Sequence, residues 1–178
     1  VLPLLVKDEV IGTFTVAEGD RVALVLSYGP SHQTPPEEFS VTDALVRTEA
    51  FWKEWSDRCG YQGPYRDVVL RSMVTLKGLT YAETGGIVAA PTTSLPEQLG
   101  GARNWDYRFC WLRDATLTLI AMMNGGYYDE AISWRDWLHR SIAGSPEQIQ
   151  IMYGIAGERT LLEWEVPWLA GYQGAAPV

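Results

Sequence analysis

The stretch 114–124, DATLTLIAMMN, constrains the fold most, because it predicts a helix that is apolar on nearly every side. A helix of that kind is buried among other elements and does not lie on a surface. Asp114 stands at its start, where a carboxylate can act as an N-cap for free backbone N–H groups. Gly125 and Gly126 end the segment. The rest of the chain must therefore surround this helix.

Further helices are predicted on both sides of that segment. Thr42 can cap a helix that runs to about Arg58, and Pro64 suits the first turn of the next helix. Residues 128–143 predict an amphipathic helix. The expected buried residues are Leu45, Phe51, Trp52 and Trp55 in the first helix, Val69, Met73 and Leu76 in the second, and Ala131, Trp134, Leu138 and Ile142 in the third. In this third helix, the residues expected to face solvent are Glu130, Arg135, Asp136 and Arg140.

The connections between helices are rich in glycine and proline. Residues 81–104 predict one long loop, and a loop of that length in a compact domain is usually functional. Residues 147–155 and 158–169 predict two shorter helical pieces. The sequence therefore predicts a mainly α fold.

The first part of the chain predicts a β-hairpin instead. Residues 10–16 alternate apolar and polar positions, residues 17–20 form a turn, and residues 21–27 are apolar on both faces. A strand that is apolar on both faces needs partners on both sides, and an isolated hairpin is marginal in water. We therefore expect the remaining strands to precede residue 1, so that the chain is a piece of a longer polypeptide.

Charge and composition exclude several classes of partner. The net charge is −8 and there is no run of Lys or Arg, which argues against binding to nucleic acid or to an anionic membrane surface. No segment reaches the roughly 20 apolar residues of a membrane span. Cys59 and Cys110 form no CxxC pair and predict two buried, free thiols. These features favour a cytoplasmic protein, and we expect neither a metal nor a cofactor.

Residues 104–115, NWDYRFCWLRDA, concentrate aromatic rings and charges and admit two interpretations. In one, Asp114 is an ordinary N-cap and Arg113 pairs with Asp106 or lies on the surface. In the other, Arg113 and Asp114 form a clamp for two neighbouring hydroxyl groups. Aromatic rings would then line the apolar faces of a sugar. The substrate-binding residues predicted by this second interpretation are Arg113, Asp114, Trp111, Tyr107, Trp105 and Asp106.

The same stretch, with APTTSLPEQLGGAR before it, resembles glycoside hydrolase family 15, the glucoamylase and trehalase family. The resemblance extends over nearly all of residues 40–178. It implies an N-terminal β-sandwich followed by an (α/α)6 toroid of paired helices. By this resemblance, residues 1–38 are the last strands of an incomplete sandwich and residues 39–65 are a linker helix. Residues 66–178 are then the first helices of an incomplete toroid.

The resemblance also implies an inverting hydrolase that releases glucose from an α-glucan, a maltooligosaccharide or trehalose. Arg113 and Asp114 would hold hydroxyls of the glucose at the cleaved end, with Tyr107 and Trp111 lining the same subsite. An inverting enzyme needs a carboxylic acid and a separate carboxylate roughly 6.5–9.5 Å apart. In the family both glutamates come from later segments, so we expect no catalytic residue before Val178. The chain alone is therefore expected to be inactive and to need the remainder of its own polypeptide.

Other interpretations stay open at this point. The carboxylates that could replace the expected pair are Glu83, Glu97, Glu158, Glu163 and Glu165. A non-catalytic carbohydrate-binding module would explain the aromatic residues, although mostly helical chains suit it poorly. A helical scaffold would use the same rings as plain core. A helical-toroid enzyme of another class, such as a polysaccharide lyase or a terpene cyclase, is a further alternative, and the absence of an aspartate-rich motif argues against the cyclase.

Overall fold

The computed structural model describes residues 4–6, 9–26, 29, 32, 40–93, 95–101, 103–142 and 144–176. This described part is mainly helical, as the sequence predicts, and it also contains short antiparallel strand pairs. The chain divides into two compact units, residues 1–50 and 51–178. None of the described helices is long and apolar enough to cross a bilayer.

The first unit contains a short hairpin and the start of helix α1. Strand β1 (Leu4–Val6) pairs with strand β2 (Glu9–Ile11) in antiparallel register, with Leu5 opposite Val10. The predicted turn is present, because the Asp20 N–H donates to the Ala17 carbonyl at 3.1 Å. The predicted hairpin of residues 10–16 and 21–27 is nevertheless wrong, since residues 21–26 form no strand and are exposed. A strand that is apolar on both faces needs partners, and no described residue supplies one.

Helix α1 (Val41–Asp57) begins at a different cap from the one predicted, and the boundary between the two units falls within it. The Ser40 Oγ accepts the Asp43 backbone N–H at 3.2 Å, so Ser40 is the N-cap and Thr42 lies inside the first turn. Trp55 is buried as expected, whereas Leu45 and Phe51 are more than half exposed.

The second unit continues with helix α2 (Arg66–Gly78), strand β3 (Cys110–Trp111), helix α3 (Leu112–Asn124), helix α4 (Tyr128–Ser141) and strand β4 (Met152–Tyr153). Strands β3 and β4 are antiparallel, with Cys110 opposite Tyr153. Short 3-10 turns occur at Pro146–Gln148 and Tyr172–Gly174. The long predicted loop is confirmed in its described residues, which contain only an isolated bridge from Thr80 to Ile87.

Residues 147–155 and 158–169 do not form the predicted helical pieces. Met152 and Tyr153 instead extend along β3, and Gly157 turns the chain with φ +96°. The Gly154 N–H donates to the Glu158 carbonyl at 2.9 Å and closes this turn. At Met152 and Tyr153, pairing with β3 therefore replaces the intrahelical hydrogen bonds that the local pattern predicts.

Three buried clusters make the core of the second unit, and α3 or the strand before it contributes to each. The first stacks Trp55 on Tyr127, with ring centroids 4.0 Å apart, and includes Met122 of α3. The second packs Ala115 and Leu119 of α3 against Ile87. The third cluster is Cys110, Trp137 and Tyr153.

Helix α3 is buried on one side and not all round as predicted, because Leu117 and Ile120 are largely exposed. In α4 the expected inner residues Ala131, Trp134 and Leu138 are partly buried and packed on the core, around the fully buried Trp137.

The two thiols agree with the sequence prediction. Cys59 and Cys110 are free and buried. Burial raises the pKa of the Cys110 thiol to about 12. Because a thiolate is the reactive form, Cys110 is not a nucleophile at neutral pH.

Glu130 of α4 is buried, with 4% exposure, although the amphipathic pattern places it in solvent. Its Oε1 accepts the Trp55 indole N–H at 2.7 Å and the Lys77 ammonium at 3.1 Å, and Arg58 lies 3.6 Å away. Burial acts to raise the Glu130 pKa, but the hydrogen bonds from Trp55 and Lys77 outweigh it and lower the pKa. An ionised carboxylate therefore joins α1, α2 and α4 inside the core.

We expect Glu130→Ala to reduce the free energy of unfolding by about 3–5 kcal/mol, because it leaves Trp55 and Lys77 without their acceptor. Asp129→Ala is the matched control, since that neighbouring carboxylate is exposed and pairs with Arg58 at 3.2 Å. The control should change the unfolding free energy by less than about 1 kcal/mol. Urea unfolding measures both, and equal losses would show that Glu130 is not the buried connection described above.

The lowered Glu130 pKa also predicts a pH dependence. A carboxylate whose folded pKa is depressed contributes its full stability above the unfolded value of about 4.3. That contribution is lost as the pH falls from there through the lower folded value. The difference in unfolding free energy between wild type and Glu130→Gln, measured in urea between pH 7 and pH 3, should therefore narrow towards acid. A constant difference would contradict an ionised Glu130.

Candidate functional site

The segment 107–112 is held on both sides by backbone hydrogen bonds. On one side the Tyr107 and Phe109 carbonyls accept the N–H groups of Ala90 and Ala89 at 2.8 and 3.1 Å. On the other side the Leu112 N–H donates to the Ile151 carbonyl at 3.0 Å, and β3 pairs with β4. The long loop and the turn after α4 thus fix the backbone from which the predicted site residues project.

Asp106 is a buried residue whose carboxylate and carbonyl hold this segment by hydrogen bonds. Its carboxylate is 4% exposed and accepts the Arg108 guanidinium in bidentate fashion at 3.1 and 2.8 Å, with the Arg108 N–H at 2.9 Å. Burial acts to raise the Asp106 pKa, but these bonds and the charge of Arg108 outweigh it and lower the pKa. One interpretation of the sequence pairs Asp106 with Arg113. The structure shows instead that the partner of Asp106 is Arg108.

Trp111 and Tyr107 form an aromatic wall. Their ring centroids lie 5.9 Å apart at an angle of 39°. The Trp111 indole N–H donates to the Asp106 carbonyl at 3.0 Å, which fixes the ring. Arg113 extends along the same wall, with its guanidinium carbon 5.9 Å from the Trp111 ring.

Arg113 and Asp114 present a charged pair beside that wall. The Arg113 Nε and Nη2 lie 3.2 and 3.1 Å from the Asp114 Oδ2. The two side chains are 70% and 33% exposed, so both head groups reach solvent. Asp114 is the third residue of α3, and Trp111 occupies the cap position. The N-cap interpretation of Asp114 is therefore wrong, and its carboxylate is available to a ligand.

Glu97 joins the same site, a contact that the sequence does not reveal. The Tyr107 hydroxyl donates to its Oε1 at 2.9 Å, and the Arg103 Nε lies 3.4 Å from its Oε2. Hydrogen bonds from Tyr107 and then from Trp105 hold the Glu97 pKa below its ordinary value. Burial, followed by the same bond to Glu97, raises the Tyr107 pKa. At neutral pH the site therefore contains an ionised Glu97 and a protonated Tyr107.

The structure brings the six predicted residues together around the start of α3. Trp105, Tyr107 and Trp111 supply rings, and Arg113 and Asp114 supply an exposed and a partly exposed charge. The Asp106 carbonyl holds the Trp111 ring. An exposed guanidinium beside a carboxylate can donate to and accept from neighbouring hydroxyl groups at once. Flat rings bind the apolar faces of sugars or bases.

Other carboxylates have local partners. Glu83 accepts the Tyr81 hydroxyl at 2.8 Å, and Glu158 accepts the Ala156 N–H at 3.1 Å. Glu163 accepts the Asp106 N–H at 3.0 Å. Glu83 and Glu158 therefore bind groups two positions away in their own loops. Glu163 instead binds the backbone of Asp106, whose carbonyl accepts the Trp111 indole N–H.

Comparison with known proteins gives a consistent result. The family model of glycosyl hydrolases family 15 matches residues 63–178. A trehalase from Mycolicibacterium smegmatis is 39% identical over 167 residues, which is 92% of this chain and 25% of that protein. A trehalase from Thermoplasma acidophilum is 36% identical over 155 residues, or 87% of this chain and 26% of that protein. No solved structure matches the chain significantly.

A trehalase from Mycobacterium tuberculosis is likewise 39% identical over 166 residues, covering 90% of this chain and 24% of that protein. The chain thus spans about a quarter of the length of the curated relatives it matches.

We expect Asp106→Asn to destabilise the fold by about 1–2 kcal/mol, because it removes the charge and one of the two acceptor oxygens of a bidentate bond at a buried position. Asp136→Asn is the matched control, since Asp136 is half exposed and pairs with the adjacent Arg135 at 2.8 Å. The control should stay within about 0.5 kcal/mol of wild type. Thermal unfolding of the two variants measures both changes in stability. An Asp106→Asn variant as stable as wild type would contradict a structural role for the pair of Asp106 and Arg108.

Proposed function

The chain belongs to glycosyl hydrolases family 15, and we propose that it is the sugar-binding part of a trehalase. The observation that carries this proposal is the exposed pair of Arg113 and Asp114 beside the wall of Tyr107 and Trp111. Trehalases from three organisms match this chain over most of its length. Trehalose is therefore the proposed substrate, ahead of maltooligosaccharides or longer α-glucans.

The site has the chemistry that a glucose unit requires. Asp114 accepts hydrogen bonds from sugar hydroxyls, and Arg113 donates to the oxygen of a neighbouring hydroxyl. These charge-assisted bonds are stronger than bonds between neutral groups. The rings of Trp111 and Tyr107 cover the apolar C–H face of the sugar, and Trp105 extends the wall. Asp106 is proposed to contribute through the position of the segment, because Arg108 already binds its carboxylate.

We propose that the proton transfers of hydrolysis are carried out by carboxyl groups outside this chain. Inversion needs one protonated acid and one carboxylate that activates water. Glu97 has a lowered pKa and is therefore a poor general acid. Glu158 and Glu163 bind backbone N–H groups. With about a quarter of its relatives' length, the chain would bind and orient the glucose while the rest of a longer polypeptide supplies the reacting groups.

The domain assignment follows from the same proposal. Residues 1–38 would belong to a β-sandwich, residues 39–65 to a linker helix and residues 66–178 to the first helices of a toroid. The buried free thiols Cys59 and Cys110 support a cytoplasmic location, where cysteines stay reduced.

We expect Asp114→Asn in the full-length protein to lower kcat/KM for glucose release from trehalose by about a hundredfold or more. The reason is that hydrogen bonds to a charged group contribute about 1.5–3 kcal/mol each, and each 1.36 kcal/mol is a factor of ten. Asp136→Asn is the control, since it is an exposed aspartate beside an arginine on α4, outside the site.

Asp136→Asn should leave kcat/KM unchanged. A coupled assay for free glucose measures both variants. If Asp114→Asn keeps the wild-type rate, the exposed Arg113–Asp114 pair does not bind the substrate, and a scaffold or binding-module interpretation gains support.

A further inference from the structure

Glu97 lies in a part of the long loop whose backbone is held by hydrogen bonds. Its backbone N–H donates to the Arg103 carbonyl at 3.0 Å, and the Gly101 N–H donates to the Gln98 carbonyl at 3.0 Å. The Asn104 side chain donates to the Gly101 carbonyl at 3.2 Å. These hydrogen bonds connect the described residues 97–101 and 103–104, so the Glu97 side chain projects from a held backbone.

The Glu97 carboxylate then uses both of its oxygens. Oε1 accepts the Tyr107 hydroxyl at 2.9 Å, and Oε2 faces the Arg103 Nε at 3.4 Å. This acidic side chain thus binds the hydroxyl of Tyr107, one of the rings proposed to contact the sugar.

We propose that Glu97 is a positioning residue of the sugar site, which sets the orientation and the hydrogen-bonding polarity of the aromatic wall. A phenol has one hydroxyl proton, and Tyr107 donates it in the hydrogen bond to Glu97. The Tyr107 oxygen therefore meets a ligand as an acceptor only, and the ligand group beside it must be a donor such as a sugar hydroxyl. The bond also favours one side-chain rotamer of Tyr107, because rotation about its Cα–Cβ bond would carry the hydroxyl away from Glu97.

This inference rests on the proposed function, because it names the residue that organises the same site. It differs from a purely structural role for Glu97 in one respect. A structural carboxylate would affect stability, whereas a positioning residue changes the affinity for the sugar through Tyr107.

The test uses the full-length protein with Glu97→Ala and Glu97→Gln. Glu97→Ala should raise KM for trehalose about tenfold, the value of one charge-assisted hydrogen bond, with a smaller change in kcat. Glu97→Gln keeps an amide oxygen that accepts the Tyr107 hydroxyl, so it should recover part of the loss. Glu83→Gln is the matched control, because Glu83 accepts the Tyr81 hydroxyl at 2.8 Å in the same long loop. It should leave both constants unchanged.

A double-mutant cycle tests whether the effect passes through Tyr107. In a Tyr107→Phe background, Glu97→Ala should raise KM by much less than in wild type, because the hydroxyl that it holds is already absent. If the KM increases of the two single variants multiply in the double variant, the inference is overturned. An active Glu97→Ala variant with an unchanged KM would overturn it as well.

A crystal structure of the Glu97→Ala variant separates this inference from the proposed function. If the wild-type protein releases no glucose from trehalose, the proposed function fails. The crystal structure of the variant still shows whether Glu97 positions the Tyr107 ring. A displaced or disordered Tyr107 ring would support the positioning role. An unchanged Tyr107 ring would overturn it.

Discussion

The packing of one side of α3 is the constraint on which the second unit depends. Met122 belongs to the cluster around Trp55 and Tyr127, and Ala115 and Leu119 pack against Ile87. Cys110, two residues before the helix, completes the third cluster. Because the core fixes this helix along its length, the residues of its first turn have a fixed position. Arg113 and Asp114 lie in that turn, so the packing of the core also fixes the backbone of the proposed site.

Two carboxylates among the described residues are buried and hydrogen-bonded. Glu130 connects α4 to α1 and α2 through Trp55 and Lys77, whereas Asp106 binds Arg108 two positions further along the chain. A buried carboxylate costs free energy unless it is hydrogen-bonded. Both Asp106 oxygens accept hydrogen bonds, and Glu130 accepts through Oε1. Such pairs add little net stability compared with apolar residues of the same size, but removing one partner is costly. We interpret them as groups that select one arrangement of the loops and helices.

The sequence predicts the helices well, because their apolar periodicity is a local property. Two of the wrong predictions, for Glu130 and for residues 147–155, come from contacts with other elements of the fold. Glu130 looks like a solvent residue until Trp55, 75 positions earlier, donates its indole N–H to it. Residues 147–155 have a helical pattern, but pairing with β3 makes part of them a strand. The six predicted site residues lie within ten positions of each other, whereas Glu97 joins them only through the closure of its loop.

We propose that this chain binds the sugar of a trehalase while the acid and the base are supplied by other segments of a longer polypeptide. Glucose release from trehalose and from maltoheptaose, measured for the 178-residue chain and for the full-length protein, tests it most directly. We predict that the full-length protein releases glucose from trehalose and that the 178-residue chain releases none. Turnover by the chain alone, or release from maltoheptaose but not from trehalose, would contradict the account.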